Sequence, residues 1–133
     1  MAIFVDSSVF CAYANSDDVH NKKAAIIIHD MLSNKYGNII TTDYVFDETV
    51  TVAMRRANKK IAGELGEFIL NSEISIAKID KLVFHKSWEI FQGSGAFSFT
   101  DCTIIAFMEI FGITNIATFD KEFKKLKNLK VVD

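Results

Sequence analysis

Asp6, Glu48, Asp101 and Asp120 are the residues of this chain whose type and placement could do chemistry together. Carboxylates held close to one another repel, so some take up protons unless a cation neutralises the group. Their oxygens are hard ligands suited to Mg²⁺ or Mn²⁺, while the scarcity of Cys and His donors speaks against zinc. A dication in such a cluster lowers the pKa of a bound water and offsets the charge of a phosphate, which is what phosphodiester hydrolysis needs. His20, His29 and His85 show no metal-ligand spacing and read as surface or partly packed side chains.

Each acid taken singly has a structural explanation. Asp6 and Asp120 suit helix caps, and Asp101, three residues after Ser98, suits a capping arrangement or the positive end of a helix dipole. Glu48 is harder to explain this way. On a helix its neighbours three and four residues away include Tyr44, Val45, Thr51 and Val52, a largely apolar stripe where an unpaired charge is costly. The four share a predicted location as well as a charge, and their convergence carries the reading. The hydroxyls of Ser7, Ser8, Thr100 and Thr118 stand where they can hold the carboxylates or metal waters in place. Capping and turn formation explain Ser8 and Thr118 equally well.

Positioning these groups falls to alternating strands and helices. Ala2 to Val5 is an apolar run that stops at Asp6-Ser7-Ser8, as a buried strand followed by a polar turn or a helix start would. Ala24, Ile27, Ile28, Met31 and Leu32 carry helical spacing within Val19 to Lys35, which Gly37-Asn38 stops. Asn38 to Thr42 reads as a second strand, with Thr42 capping a helix through Tyr44, Phe46, Val50 and Met54. Ala57 to Leu70 reads as helix and Ile74 to Ile79 as a third strand. Asp80 to Phe91 is helical, with Phe84, Trp88 and Phe91 on one face.

Gly93-Ser94-Gly95 marks a loop, after which Ser98 or Thr100 caps an apolar helix from Asp101 to Phe111, ended by Gly112. Asn115 to Phe119 reads as the fourth strand, Lys121 to Lys125 as a short basic helical turn and Leu129 to Val132 as an edge strand. This order predicts a three-layer α/β/α fold with a central parallel sheet of four to five strands. In such sheets ligands collect at the carboxyl ends of the strands. Asp6 and Asp120 lie at such ends, and Glu48 and Asp101 lie in the first turns of helices entered from the same rim.

The chain has 133 residues, half of them hydrophobic and about a quarter charged, which fits one self-folding domain over 1–133. The formal net charge of −2 advertises no tight non-specific nucleic-acid binder, so local charge must decide that question. Cys11 and Cys102 lack the spacing of a disulfide scaffold or zinc knuckle and are expected to be buried thiols in a reducing cytosol. The first residues lack the basic region and long apolar stretch of a secretory signal, and no apolar run approaches the roughly 20 residues that span a bilayer. A cytoplasmic protein with no membrane association is expected.

Several stretches also carry a family likeness. These are Ile3-Phe4-Val5-Asp6-Ser7-Ser8, Thr41-Thr42-Asp43-Tyr44-Val45-Phe46-Asp47-Glu48, Ser98-Phe99-Thr100-Asp101 and Thr118-Phe119-Asp120-Lys121-Glu122-Phe123. In order and spacing they resemble the PIN-domain nucleases, especially the toxins of VapBC-type toxin–antitoxin pairs. The resemblance implies a Rossmann-like parallel sheet, Asp6, Glu48, Asp101 and Asp120 as the acidic site, Mg²⁺ or Mn²⁺ as cofactor, and cleavage of single-stranded RNA by a metal-activated water rather than the ribose 2′-hydroxyl. It further implies a homodimer and an antitoxin that blocks the active-site groove. Cys102 stands where a small residue such as Ala is more usual, and Asp47 beside Glu48 leaves open which of the two faces solvent.

For RNA phosphates, Lys121, Lys124, Lys125 and Lys127 are the favoured contacts because they lie nearest Asp120. Arg55, Arg56, Lys59 and Lys60 also fit, although cations are favoured at a helix end in any case. Tyr13 and Phe97 are the candidates for stacking on bases. For dimerisation the apolar residues of the Ile26 to Leu32 or Ala62 to Leu70 helix are expected. Aspartyl-phosphate phosphatases would need a second Asp two positions after Asp6, where Ser8 stands, and receiver domains would need paired acids there. A module that keeps the fold but has lost its chemistry is the remaining alternative, and the intact quartet opposes it.

Overall fold

The computed structural model describes residues 1–93 and 95–133. The chain runs through β1 (Ala2–Val5), α1 (Ser7–Ala14), α2 (Asn21–Leu32), β2 (Asn38–Thr42), α3 (Asp43–Arg56) and α4 (Lys59–Leu70). It continues through β3 (Ser75–Ala77), α5 (Lys81–Gly93), α6 (Phe99–Phe111), β4 (Asn115–Ala117), a 3₁₀ turn (Lys121–Lys125) and β5 (Lys130–Val132). The five strands form one sheet in the order β3-β2-β1-β4-β5. Every pairing in it is parallel.

Successive side chains on a strand point to opposite faces, and here both faces are covered. Ile3, Val5 and Ile39 pack with Val9, Phe10, Ile28, Met31, Leu65 and Ile69 from α1, α2 and α4. Phe4 and Ile116 pack on the other face with Val83, Ile104, Phe107 and Met108 from α5 and α6. Helix α3 serves both layers, giving Ala53 to the first and Val45 to the second. The expected α/β/α architecture is therefore present, with five strands.

Strand β1 has β2 on one side and β4 on the other, so the winding of the chain reverses there. Such a reversal opens a crevice beyond the carboxyl ends of the strands. The register sets Val5 opposite Ala117, and the Asp6 backbone N–H donates to the Ala117 carbonyl at 3.0 Å. Asp6 and Thr118 thereby become neighbours across the crevice.

The boundaries correct the sequence reading in several places. Of the turn or helix start expected after Asp6, the structure shows the helix, a full one over residues 7–14 with Val9, Phe10, Cys11 and Ala12 all buried. Helix α2 ends at Leu32, where the Ser33 N–H reaches back to the His29 carbonyl at 2.9 Å and the Asn34 N–H to the Met31 carbonyl at 3.0 Å. Gly37 is not its stop: it has φ +78°, and a Cβ there would meet the Met1 carbonyl oxygen at 2.3 Å. Ser98, not Thr100, caps α6, and Gly112 ends it in the left-handed conformation. Helix α5 continues through Gly93, and of the expected loop Ser94 lies outside the described residues.

Both cysteines are buried and free. Burial pushes the Cys11 thiol up to about 11, which leaves it unreactive. Among the described residues no helix is long and apolar enough to cross a membrane.

Candidate active site

Asp6 is the best-held of the four acids. It caps α1 and is only 4% exposed. Its Oδ1 accepts from the Ser7 backbone N–H at 2.8 Å, and its Oδ2 accepts from the hydroxyls of Thr118 at 2.8 Å and Ser8 at 2.9 Å. Burial raises its pKa; the Thr118 and Ser8 hydroxyls pull it down, and the charge of Glu48 pushes it up. A carboxylate this deep keeps its charge only through such donors or a cation.

Thr118 and Ser8 bind β1 and β4 into one wall. Thr118 Oγ1 also accepts the Asp120 backbone N–H at 3.0 Å, and Ser8 Oγ accepts the Phe119 N–H at 3.0 Å. Asp120 is half-buried and caps the 3₁₀ turn, its Oδ1 taking the Glu122 N–H at 3.0 Å. The sequence weighs Ser8 as a turn former as much as a site residue; the structure gives it to the site.

Glu48 comes from α3, which Thr42 launches by accepting the Val45 N–H at 3.2 Å. One turn later Glu48 is half-buried, and its Oε1 accepts the Ser7 hydroxyl at 2.5 Å. Ser7 thus links the first two acids. Asp47 is exposed, so Glu48 is the member of the pair that faces the site.

Asp101 belongs to a capping box at the start of α6. Its N–H donates to Ser98 Oγ at 3.2 Å, and its Oδ2 accepts the Ser98 N–H at 3.3 Å. The capping role and the site role fall on one residue. Burial, then the charge of Asp6, push its pKa up to about 6, with Asp120 adding a smaller push against the Ser98 hydrogen bonds. Asp6 thus feels the charge of Glu48, and Asp101 feels those of Asp6 and Asp120. Thr100 is different: among the described residues its side chain makes no hydrogen bond, and only its carbonyl is used, by Thr103.

The donor set fits a hard dication. Among the described residues none of the four acids is in an ion pair with Lys, Arg or His, so their charge is unanswered by the protein. Glu48 Oε2, Asp101 Oδ1 and Asp120 Oδ2 also receive no hydrogen bond there. Yet among the described residues no three acid, His or Cys side chains are gathered closely enough to hold an ion as they stand. This excludes a closed four-carboxylate cage in the present side-chain positions.

The remaining sequence candidates divide. Lys121 is exposed beside Asp120, whereas Lys124 pairs with Asp133 at 2.7 Å and Lys125 with Glu122 at 3.0 Å. Arg55 and Arg56 are exposed at the far end of α3, about 10–12 Å along the axis from Glu48. Tyr13 packs on Phe68 at 5.3 Å and Phe97 on Phe123 at 5.2 Å, both half-buried, so neither is a free base platform. Their aromatic type suggested stacking, but each is half-buried against a tilted neighbouring ring. His20, without a metal-like motif, lies flat on Phe119 at 4.4 Å.

A parallel sheet with this acid-lined switch point is the architecture of a family of nucleases. A model of the PIN domain matches residues 3–129, and the chain belongs to the PIN-domain family. Among its relatives is a VapC ribonuclease of Archaeoglobus fulgidus, 27% identical over 107 residues, with 76% of this chain covered and 66% of that protein's length. The 23S rRNA-specific endonuclease VapC20 of Mycobacterium tuberculosis is 27% identical over 123 residues, 91% of each chain. The crystal structure of that VapC20, described as a sarcin-ricin loop cleaving toxin, superposes with a TM-score of 0.84 at 25% identity, covering 94% of this chain and 95% of the other.

Proposed function

We propose that this chain is a metal-dependent endoribonuclease that cuts single-stranded RNA at the rim formed by Asp6, Glu48, Asp101 and Asp120. In this reading it is the toxin of a VapBC-type pair, acts in the cytoplasm as a homodimer and is restrained by a cognate antitoxin. Membership of the PIN family and the RNA-cleaving relatives support the activity. The observation that carries the site assignment is the buried Asp6 at the switch point, within the field of Glu48 and acting on Asp101, with none of the four acids in an ion pair among the described residues.

When bound, Mg²⁺ or Mn²⁺ would offset the charge of the scissile phosphate and acidify a water. The chain supplies the frame. Asp6, fixed by Ser7, Ser8 and Thr118, sets the position of the centre. Glu48, Asp101 and Asp120 each keep one oxygen free to orient waters or accept a proton from the attacking one. Thr118 couples Asp120 to Asp6, so the two strand-borne acids move together. Lys121 is placed to meet an adjacent phosphate and fix register rather than sequence.

Labelled single-stranded RNA incubated with the purified chain tests this reading. Cleavage is expected with Mg²⁺ or Mn²⁺, none with chelator and none with Asp101→Asn. Cleavage that survives both chelation and that substitution would overturn the mechanism. No cleavage of any RNA, structured ribosomal stem-loops included, would favour a module that has lost its chemistry.

A further inference from the structure

Beside the acidic rim stands a group of aromatic side chains that the core does not absorb. Phe84, Trp88 and Phe91 share one face of α5, and that face turns outward, with exposures of 42%, 49% and 37%. The inward face of the helix is carried by Val83 and Ser87 instead. Phe99, in the first turn of α6, is the hub: its ring centre lies 5.4 Å from Phe84, 6.0 Å from Phe91, and 6.4 Å from both Trp88 and Tyr44. Trp88 and Phe91 themselves stack, 5.7 Å apart and 20° from parallel. An exposed aromatic patch of this kind marks a surface that something covers.

We propose that this aromatic row is a base-stacking platform for the RNA strand entering or leaving the carboxylate site. The inference rests on the reading that the rim cuts single-stranded RNA. Continuity with that rim supports it, because Phe99 stands two residues before Asp101 and Tyr44 four before Glu48. Through Tyr44 and Phe99 the row reaches the first turns of α3 and α6, the helices that carry Glu48 and Asp101. Every base presents a π face, so rings bind a single strand regardless of sequence. Lys81 and His85 on the same helix are exposed, while Lys86 is engaged with Glu109 at 3.4 Å. A strand whose bases lie on the rings can thus keep its phosphates in solvent, where α5 offers the exposed cation Lys81 and the exposed anion Glu89.

Trp88 is the chain's one tryptophan, so its emission reports on this platform alone. Full-length Asp101→Asn is titrated with a labelled single-stranded oligonucleotide in Mg²⁺, following label anisotropy and Trp88 emission together. Emission is expected to fall saturably with the dissociation constant given by anisotropy. Adding Trp88→Ala should weaken binding about fivefold or more, and Trp88→Phe should recover most of that loss. In the otherwise unsubstituted chain, Trp88→Ala should raise KM with kcat unchanged.

RNA cleavage or binding with unmoved emission would overturn the platform while leaving the nuclease intact. Binding and quenching without cleavage by the unsubstituted chain would remove the cleavage reading and leave the platform. Failure to bind RNA at all would end both. An emission shift that follows protein concentration without RNA, with a dimer by light scattering that Trp88→Ala abolishes, would assign the face to a second copy and overturn the proposal.

Discussion

The acids carried by strands and those carried by helices are held in different ways. Asp6 and Asp120 follow the adjacent strands β1 and β4, and Thr118 bonds to both, to the Asp6 carboxylate and the Asp120 N–H. Glu48 and Asp101 ride on α3 and α6, each tied at one oxygen, by the Ser7 hydroxyl and the Ser98 N–H respectively. The strand pair is a preformed wall whose position is a property of the sheet. The helix pair is a lip whose position depends on how two helices pack. A site built this way can fix one part of a dication's shell and let the rest adjust to substrate.

That contrast can be broken most severely at Asp6. Asp6→Asn should lower cleavage by more than the roughly 100-fold upper range of an outer contact. The same change removes a buried charge, so without metal at pH 8 its Tm should match or exceed that of the parent chain. A drop in both would show Asp6 to be structural.

Metal binding should sharpen the contrast next. Saturation at 100 times Kd adds about 2.7 kcal/mol, on the order of 10 °C in Tm for a chain of this size. The sign with pH follows from the raised pKa values of Asp6 and Asp101, the latter at about 6 against 3.8. The native state holds these protons more tightly than the unfolded chain, so their contribution is full below about pH 4 and lost as pH rises through about 6. Metal-free Tm should therefore fall across that window, and the Mg²⁺-induced rise measured by scanning calorimetry should be larger at pH 8 than at pH 5.

Smaller effects separate the wall from the lip. Thr118→Val removes a donor to buried Asp6, and should weaken metal affinity by roughly 10–100-fold and cost about 1–3 kcal/mol in urea unfolding. Ser7→Ala should fall at or below the lower end of that affinity range, because the Ser7 backbone N–H still reaches Asp6. Asp47→Asn should change cleavage less than about twofold, as an exposed residue away from the contacts does. A loss at Asp47 equal to that at Glu48 would erase the distinction between them.

The sheet and its order of elements were legible because strand ends and caps coincide with chemistry. Asp6 ends β1, Thr42 ends β2 and caps α3, and Ser98 caps α6. What escaped has physical causes. Helix α1 is short and buries four consecutive residues, Val9 to Ala12, so it shows no polar face and no period. Strand β4 stops at Ala117, two residues short of the end of the run read as strand, although the Thr118 N–H still donates to the Val132 carbonyl at 3.2 Å.

Which aromatics face inward also lay beyond the pattern. Tyr13 and Phe97 sit near site residues in sequence, yet Phe68 and Phe123 pack against them. Spacing put Phe84, Trp88 and Phe91 on one face of α5 but could not say that Val83 and Ser87 would take the core. The partition of Ser7, Ser8 and Thr118 to the site, with Thr100 left out, needed the register between β1 and β4.

Crystals grown with Mn²⁺ and measured for anomalous scattering test the central claim most directly. A manganese peak is predicted in the crevice beyond β1 and β4, in contact with the carboxylate of Asp6 or Asp101 and with the other acids turned toward its waters. Manganese bound only elsewhere, in a protein that cuts RNA in the same buffer, would contradict it.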